Sequence, residues 1–138
     1  MASVSIKGKY LGNLRNEMTH LQSKNTIITD APTDNQGKGE AFSPTDLVCG
    51  ALAACMMTIM GIAAREHGFC IDGATYEVKK TMATDPRRIG QIDIVFDFPP
   101  MEYTQKQQTL LWKAADTCPV GKTLSEEVIV NIRMNFQF

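Results

Sequence analysis

Apolar and polar positions change rhythm along the chain, and each change marks an element. Val4 to Leu11 (VSIKGKYL) alternates with period two, the pattern of a half-buried strand, and Gly12-Asn13 punctuates it as a turn. Leu14 to Thr19 (LRNEMT) reads as a weaker second strand, and Thr26 to Thr29 (TIIT) as a short third. Asp30 to Phe42 (DAPTDNQGKGEAF) has no periodicity and is a loop, long for a compact domain. Leu47 to Ala64 (LVCGALAACMMTIMGIAA) then runs for 18 residues without a charge. Ser43-Pro44-Thr45-Asp46 before it is a helix start, with Ser43 as N-cap, Pro44 in the first turn and Asp46 as the capping-box acid. Gly68 stops this helix behind the cations of Arg65 and His67.

Two further alternating runs, Ala74 to Met82 and Ile89 to Phe98, flank a turn at Asp85-Pro86-Arg87-Arg88, and Pro99-Pro100 ends the second. Thr104 to Thr117 carries Leu110, Leu111, Ala114 and Ala115 on one helical stripe. Pro119 opens a short following helix over PVGKTLSEEV, and Val128 to Phe136 is a closing strand. The main order, β-β-β-α-β-β-α-β, predicts an α+β fold of one domain, 1–138, around a long buried central helix. At ~1.5 Å per residue the apolar run reaches ~27 Å, short of a ~30 Å hydrocarbon core. Half of the run is Ala, Gly and Cys, so it reads as a core helix and not as a membrane span.

Composition narrows the partners. Lys plus Arg is 14 against 15 for Asp plus Glu, a net charge of -1, without the basic surplus that nucleic acid or an anionic membrane demands. Neither partner is expected. The N-terminus, MASVSIKGKY, has no apolar leader segment, which points to the cytoplasm, where thiols stay reduced. The four cysteines, 49, 55, 70 and 118, contain no C-x-x-C pair and have only two histidines for company, a poor zinc set. Gly121-Lys122-Thr123 is not a phosphate loop, because Asp116 stands where the motif needs glycine. No metal, flavin or nucleotide motif is present, so no cofactor is expected.

Two thiols stand out. Cys118 precedes Pro119 as the N-cap of a helix, where free backbone N–H groups and the helix dipole lower a thiol's pKa. Cys55 lies mid-helix among apolar neighbours, where a cysteine also serves as a small hydrophobe. Cys49 and Cys70 have neither a cap position nor a charged partner and read as packing. Met56, Met57 and Met60 are core filler or pocket lining.

Ser-Pro-Thr-Asp-Leu (43–47), Ala-Leu-Ala-Ala-Cys (51–55) and Cys-Pro-Val-Gly-Lys-Thr-Leu (118–124) together resemble the OsmC/Ohr family of osmotically inducible and organic-hydroperoxide-resistance proteins. Asp85 to Gly90 (DPRRIG) looks like its OsmC-like branch. The resemblance implies an intertwined homodimer with two active sites at the subunit interface. It implies a thiol peroxidase acting on small organic hydroperoxides and recycled by an external dithiol. Carried over, Cys55 is the peroxidatic thiol, Cys118 the resolving thiol, and Arg15, on an early strand, the guanidinium that holds the thiolate.

The chain departs from the family at one position. The Glu that orients this Arg falls ten residues before the first cysteine, where this chain has Thr45. Asp46 beside it and Glu40 in the preceding loop are the candidate substitutes. Asp46 already has capping work, and nine residues at ~100° each put it on the helix face opposite Cys55. The missing Glu favours the alternative, a non-catalytic protein that binds an apolar ligand at the same interface. A thiol enzyme handling acyl or sulfenyl groups is a third reading.

Overall fold

The computed structural model describes residues 2–137. The elements run β1 (Ile6–Gly12), β2 (Arg15–His20), β3 (Thr26–Thr29), a 3-10 turn (Thr33–Asn35), α1 (Pro44–Glu66), β4 (Thr75–Ala83), β5 (Arg88–Asp97), α2 (Gln105–Asp116), α3 (Pro119–Thr123) and β6 (Ile129–Asn135). This is the expected α+β order. The chain forms two compact units, one up to Leu47 and one from Val48 on.

The first unit is an antiparallel sheet in the order β1-β2-β3. Its first hairpin turns through Gly12, Asn13 and Leu14, all at positive φ (87°, 54° and 63°), and a register shift falls between Tyr10 and Gly12. A leucine in the left-handed region is uncommon, and here its N–H donates to the Tyr10 hydroxyl at 3.3 Å. The turn delivers Arg15 as the first residue of β2. The alternation of β1 predicts a half-buried strand, yet Ile6 and Tyr10 are 63% and 61% exposed. Among the described residues of this unit only Thr29, Asp30 and Ser43 are buried, so the apolar side of the sheet is uncovered in the single chain.

The second unit holds the core. Its sheet has the order β4-β5-β6, with β4 and β5 antiparallel and β5 and β6 parallel. A parallel pair needs a crossover, and α2 with α3 provides it. Central β5 sends Ile92, Ile94 and Phe96 inward, with Phe98 just beyond its end. Cys49, Leu52, Ala53, Met56, Met60 and Ala64 form the buried stripe of α1 and join the same core with Leu111, Ala114 and Ala115 of α2. That spacing is the i, i+3, i+4, i+7 repeat of one helix face. Phe98 and Phe136 stack with centroids 4.7 Å apart at one end of this core.

Length and apolarity alone would let α1 cross a membrane, but its buried stripe belongs to the protein core. Away from the stripe, Ala51, Ala54, Thr58 and Ile62 are exposed in the single chain. The third helix is shorter than PVGKTLSEEV predicts and stops at Thr123. Leu124 turns extended, and its N–H caps the carbonyl of Val120.

Candidate active site

The architecture of the second unit brings two of the four cysteines together. Cys55 sits on α1 beside its buried stripe, half-buried and packed against the core. Cys118 is 1% exposed and caps α3, with its Sγ accepting the Gly121 N–H at 3.2 Å. Pro119 gives up no hydrogen bond at the first helical position, where its missing N–H is not needed. The Cys55 side chain lies close enough to Cys118 to act on its thiol, and all four thiols in the chain are free. An apolar helix and a Cys-Pro turn, far apart in sequence, therefore place a thiol pair in one core.

Burial pushes the Cys118 thiol above its ordinary 9.0, and the neighbouring Cys55 side chain and the negative charge it can carry add to the rise. The amides of Gly121 and Val120 pull the other way. The cap thus acts as the sequence predicts, but desolvation outweighs it, and the expected net lowering is reversed. A charged sulfur at a 1% exposed position has lost its water, and two amides do not replace it.

In the first unit Arg15 is held by two carboxylates. Its Nη2 donates to Glu40 Oε1 at 2.8 Å and to Asp30 Oδ2 at 3.4 Å. Asp30 is buried, and its Oδ2 also accepts the Glu40 N–H at 3.1 Å, while its own N–H donates to the Phe42 carbonyl at 3.1 Å. The Glu40 amide is the main reason the Asp30 carboxyl stays below 3.8; burial opposes it, and the Arg15 charge and the amides of Ala31 and Lys38 assist. The loop from 30 to 42 is thereby fastened to Arg15.

Asp46 closes the predicted capping box: its Oδ2 accepts the Ser43 N–H at 2.9 Å, and its own N–H donates to Ser43 Oγ at 3.1 Å. Thr45 Oγ1 lies 3.2 Å from Ser43 Oγ. Of the two carboxylates weighed for the position left empty by Thr45, Glu40 is the one paired with Arg15. Sequence reading missed Asp30. The available signal was the loop itself, too long to be structureless inside a compact domain, with an Asp closing the preceding strand.

The family model described as OsmC-like protein matches residues 37–133, across the boundary between the two units. A candidate osmotic stress induced and detoxification response protein from Psychrobacter arcticus is 47% identical, with 98% of each chain covered and a TM-score of 0.92. The organic hydroperoxide resistance protein OhrB of Bacillus subtilis shares the fold at 19% identity, with 97% of this chain and 98% of that one covered and a TM-score of 0.71. An OsmC organic hydroperoxide resistance protein from Legionella pneumophila does so at 14% identity, 98% coverage of each chain and a TM-score of 0.77. No curated protein matches the sequence.

Proposed function

The chain belongs to the OsmC-like protein family, and from that premise we propose that it is a thiol-dependent peroxidase reducing small organic hydroperoxides with Cys55 and Cys118. The observation that carries this reading is the pair of neighbouring free thiols, one of them buried at a helix cap.

The Cys55 thiolate attacks one oxygen of the peroxide and the O–O bond breaks. Sulfur is oxidised to a sulfenic acid, and the departing alkoxide takes a proton and leaves as the alcohol. A free cysteine near pKa ~8.5 is only about 3% thiolate at pH 7, so the step needs a cation or donors at the sulfur. The family resemblance assigns that work to Arg15, and the short bond from Glu40 gives the guanidinium the carboxylate partner that Thr45 does not supply. In this reading Asp46 contributes by setting the start of α1, and with it the register of the helix that carries Cys55.

Cys118 then attacks the sulfenic sulfur. A disulfide forms, and the hydroxyl leaves as water with the Cys118 proton. While Cys55 is charged, that charge keeps Cys118 protonated. Oxidation of Cys55 to the neutral sulfenic acid removes that charge, which leaves burial alone to oppose the Gly121 and Val120 amides at Cys118. The order of events sets the resolving thiol to react after the peroxidatic one. An external dithiol returns the disulfide to two thiols. Met56 and Met60 fill the core, so of the three methionines only half-buried Met57 is left to meet an apolar tail on the peroxide.

We further infer a homodimer in the cytoplasm, acting as one functional domain of 138 residues per subunit. The uncovered sides of β1 and α1 support self-association.

The test adds one equivalent of cumene hydroperoxide to the reduced protein and locates disulfides by mass spectrometry. A Cys55–Cys118 bond is expected within seconds to minutes, and none in Cys55→Ser. Cys118→Ser is expected to stop at the sulfenic acid and to move on to sulfinic acid with excess peroxide. Unmodified thiols in the wild-type protein would sink the peroxidase reading and favour binding of an apolar ligand.

A further inference from the structure

We propose that Asp30 is a positioning residue for the thiol chemistry, because it fixes the direction of the Arg15 guanidinium and the place of its partner Glu40. The proposal rests on the reading that Arg15 serves the Cys55 thiolate.

Three observations carry it. Asp30 Oδ2 is a single point on which the Arg15 Nη2 and the Glu40 backbone N–H converge, at 3.4 and 3.1 Å. The Asp30 side chain is 1% exposed, whereas Arg15 and Glu40 are 32% and 55% exposed. An ion pair between two partly solvated long side chains is weakly held, since each gives up rotamer freedom for a small Coulomb gain in high dielectric. A buried carboxylate on a strand end has no such freedom, so it orders the other two. Finally, Asp30 Oδ1 is buried and, among the described residues, no donor reaches it in good hydrogen-bond geometry, the Ala31 and Lys38 amides acting on the carboxylate only weakly. Burying a half-satisfied carboxylate is costly, and folding alone would be served at least as well by an uncharged residue here. The Glu40 amide offsets most of that cost, and the Arg15 charge adds to that offset.

The geometry also accounts for how this chain does without a Glu at position 45. Glu40 lies five residues earlier, in a loop, where its side chain has no helix to orient it. Asp30 supplies the rigidity instead: its backbone N–H ties the loop at Phe42, and its side chain ties it at Glu40.

The experiment follows Cys55 by peptide mass spectrometry in two reactions, alkylation by iodoacetamide from pH 5 to 9 and oxidation by cumene hydroperoxide. The proteins are wild type, Asp30→Asn, Asp30→Glu, Arg15→Met and the double variant Asp30→Asn with Arg15→Met. Asp30→Asn keeps an oxygen to accept the Glu40 N–H and loses the charge facing Arg15. It is expected to slow Cys55 alkylation about tenfold at pH 6 and to move the pH profile upward, the scale of one lost charge-assisted contact. In the Arg15→Met background the same change is expected to add nothing, because Asp30 acts through Arg15.

An unchanged Cys55 pH profile in folded Asp30→Asn overturns the proposal, and so does an equal loss in both backgrounds. If Asp30→Asn does not fold, Asp30→Glu takes its place: it keeps the charge and displaces it by one methylene, and an unshifted profile there is equally fatal. Alkylation needs no peroxidase activity. Failure of wild type to react with the hydroperoxide therefore counts against the proposed function, while the alkylation profiles still judge Asp30.

Discussion

Cys118 and Asp30 are each 1% exposed, yet they answer burial differently. For Cys118 desolvation is the largest influence and the thiol is pushed up from 9.0. For Asp30 the Glu40 amide outweighs desolvation and the carboxyl is held below 3.8. The sign for stability follows from each direction. A raised thiol binds its proton more tightly when folded, so its contribution is full below 9.0 and is lost as pH rises through the folded value. A lowered carboxyl contributes above 3.8 and loses that contribution as pH falls through its folded value. Urea midpoints measured across pH are therefore expected to fall at both ends. Cys118→Ser should soften the alkaline decline without abolishing it, because Tyr103 is also raised, by burial and then by the charge of Cys70. Asp30→Asn should soften the acid decline, leaving the part due to Asp93, whose carboxyl is lowered by Asn131 and Gln91. A Cys118→Ser alkaline limb identical to wild type would contradict the assignment.

At the scale of elements, α1 does two jobs with one register. Its stripe from Cys49 to Ala64 fills the core of the second unit, and the next position along the surface presents Cys55 to Cys118. Leu52 is fully buried in that stripe. Leu52→Ala is expected to cost about 2–5 kcal/mol of unfolding free energy, the transfer term plus the cavity left where the site does not collapse. Its Cδ1 lies near Gly121 of α3, the residue whose N–H Cys118 accepts, so the same variant is expected to slow disulfide formation as well. Denaturant unfolding checks the first outcome and the timed disulfide assay the second. A stability loss below 0.5 kcal/mol would mean that the stripe is not the core it is taken for.

At the scale of the molecule, the single chain leaves much apolar surface uncovered: Ile6 and Tyr10 on β1, Ile27 and Ile28 on β3, and Ile62 on α1. A monomer in water would carry the cost of that exposure, and the proposed twofold partner would remove it. Sedimentation equilibrium at micromolar concentration is expected to report two chains per particle. Ile62→Glu, which places a charge on the exposed side of α1 and spares the buried stripe, is expected to weaken the association at least tenfold. A monomeric wild-type protein would refute the homodimer.

The elements themselves were legible because they are local. The period-two runs appear as β1, β4 and β5 to within two residues at either end, and the Ser43–Asp46 box opens α1 where the capping pattern places it. Cys118 as a helix cap was equally readable, since a Cys-Pro step leaves few other conformations. What sequence could not decide was every quantity that depends on neighbours from distant segments. Which carboxylate takes Arg15 was open between Asp46 and Glu40, because the answer lies in how a thirteen-residue loop folds back on β2, and Asp30 was invisible for the same reason. The direction of the Cys118 shift was misjudged because a cap is a local feature while desolvation is the sum of everything packed around the sulfur. Periodicity and capping are written into neighbouring residues; burial and charge pairing exist only once the chain has closed on itself.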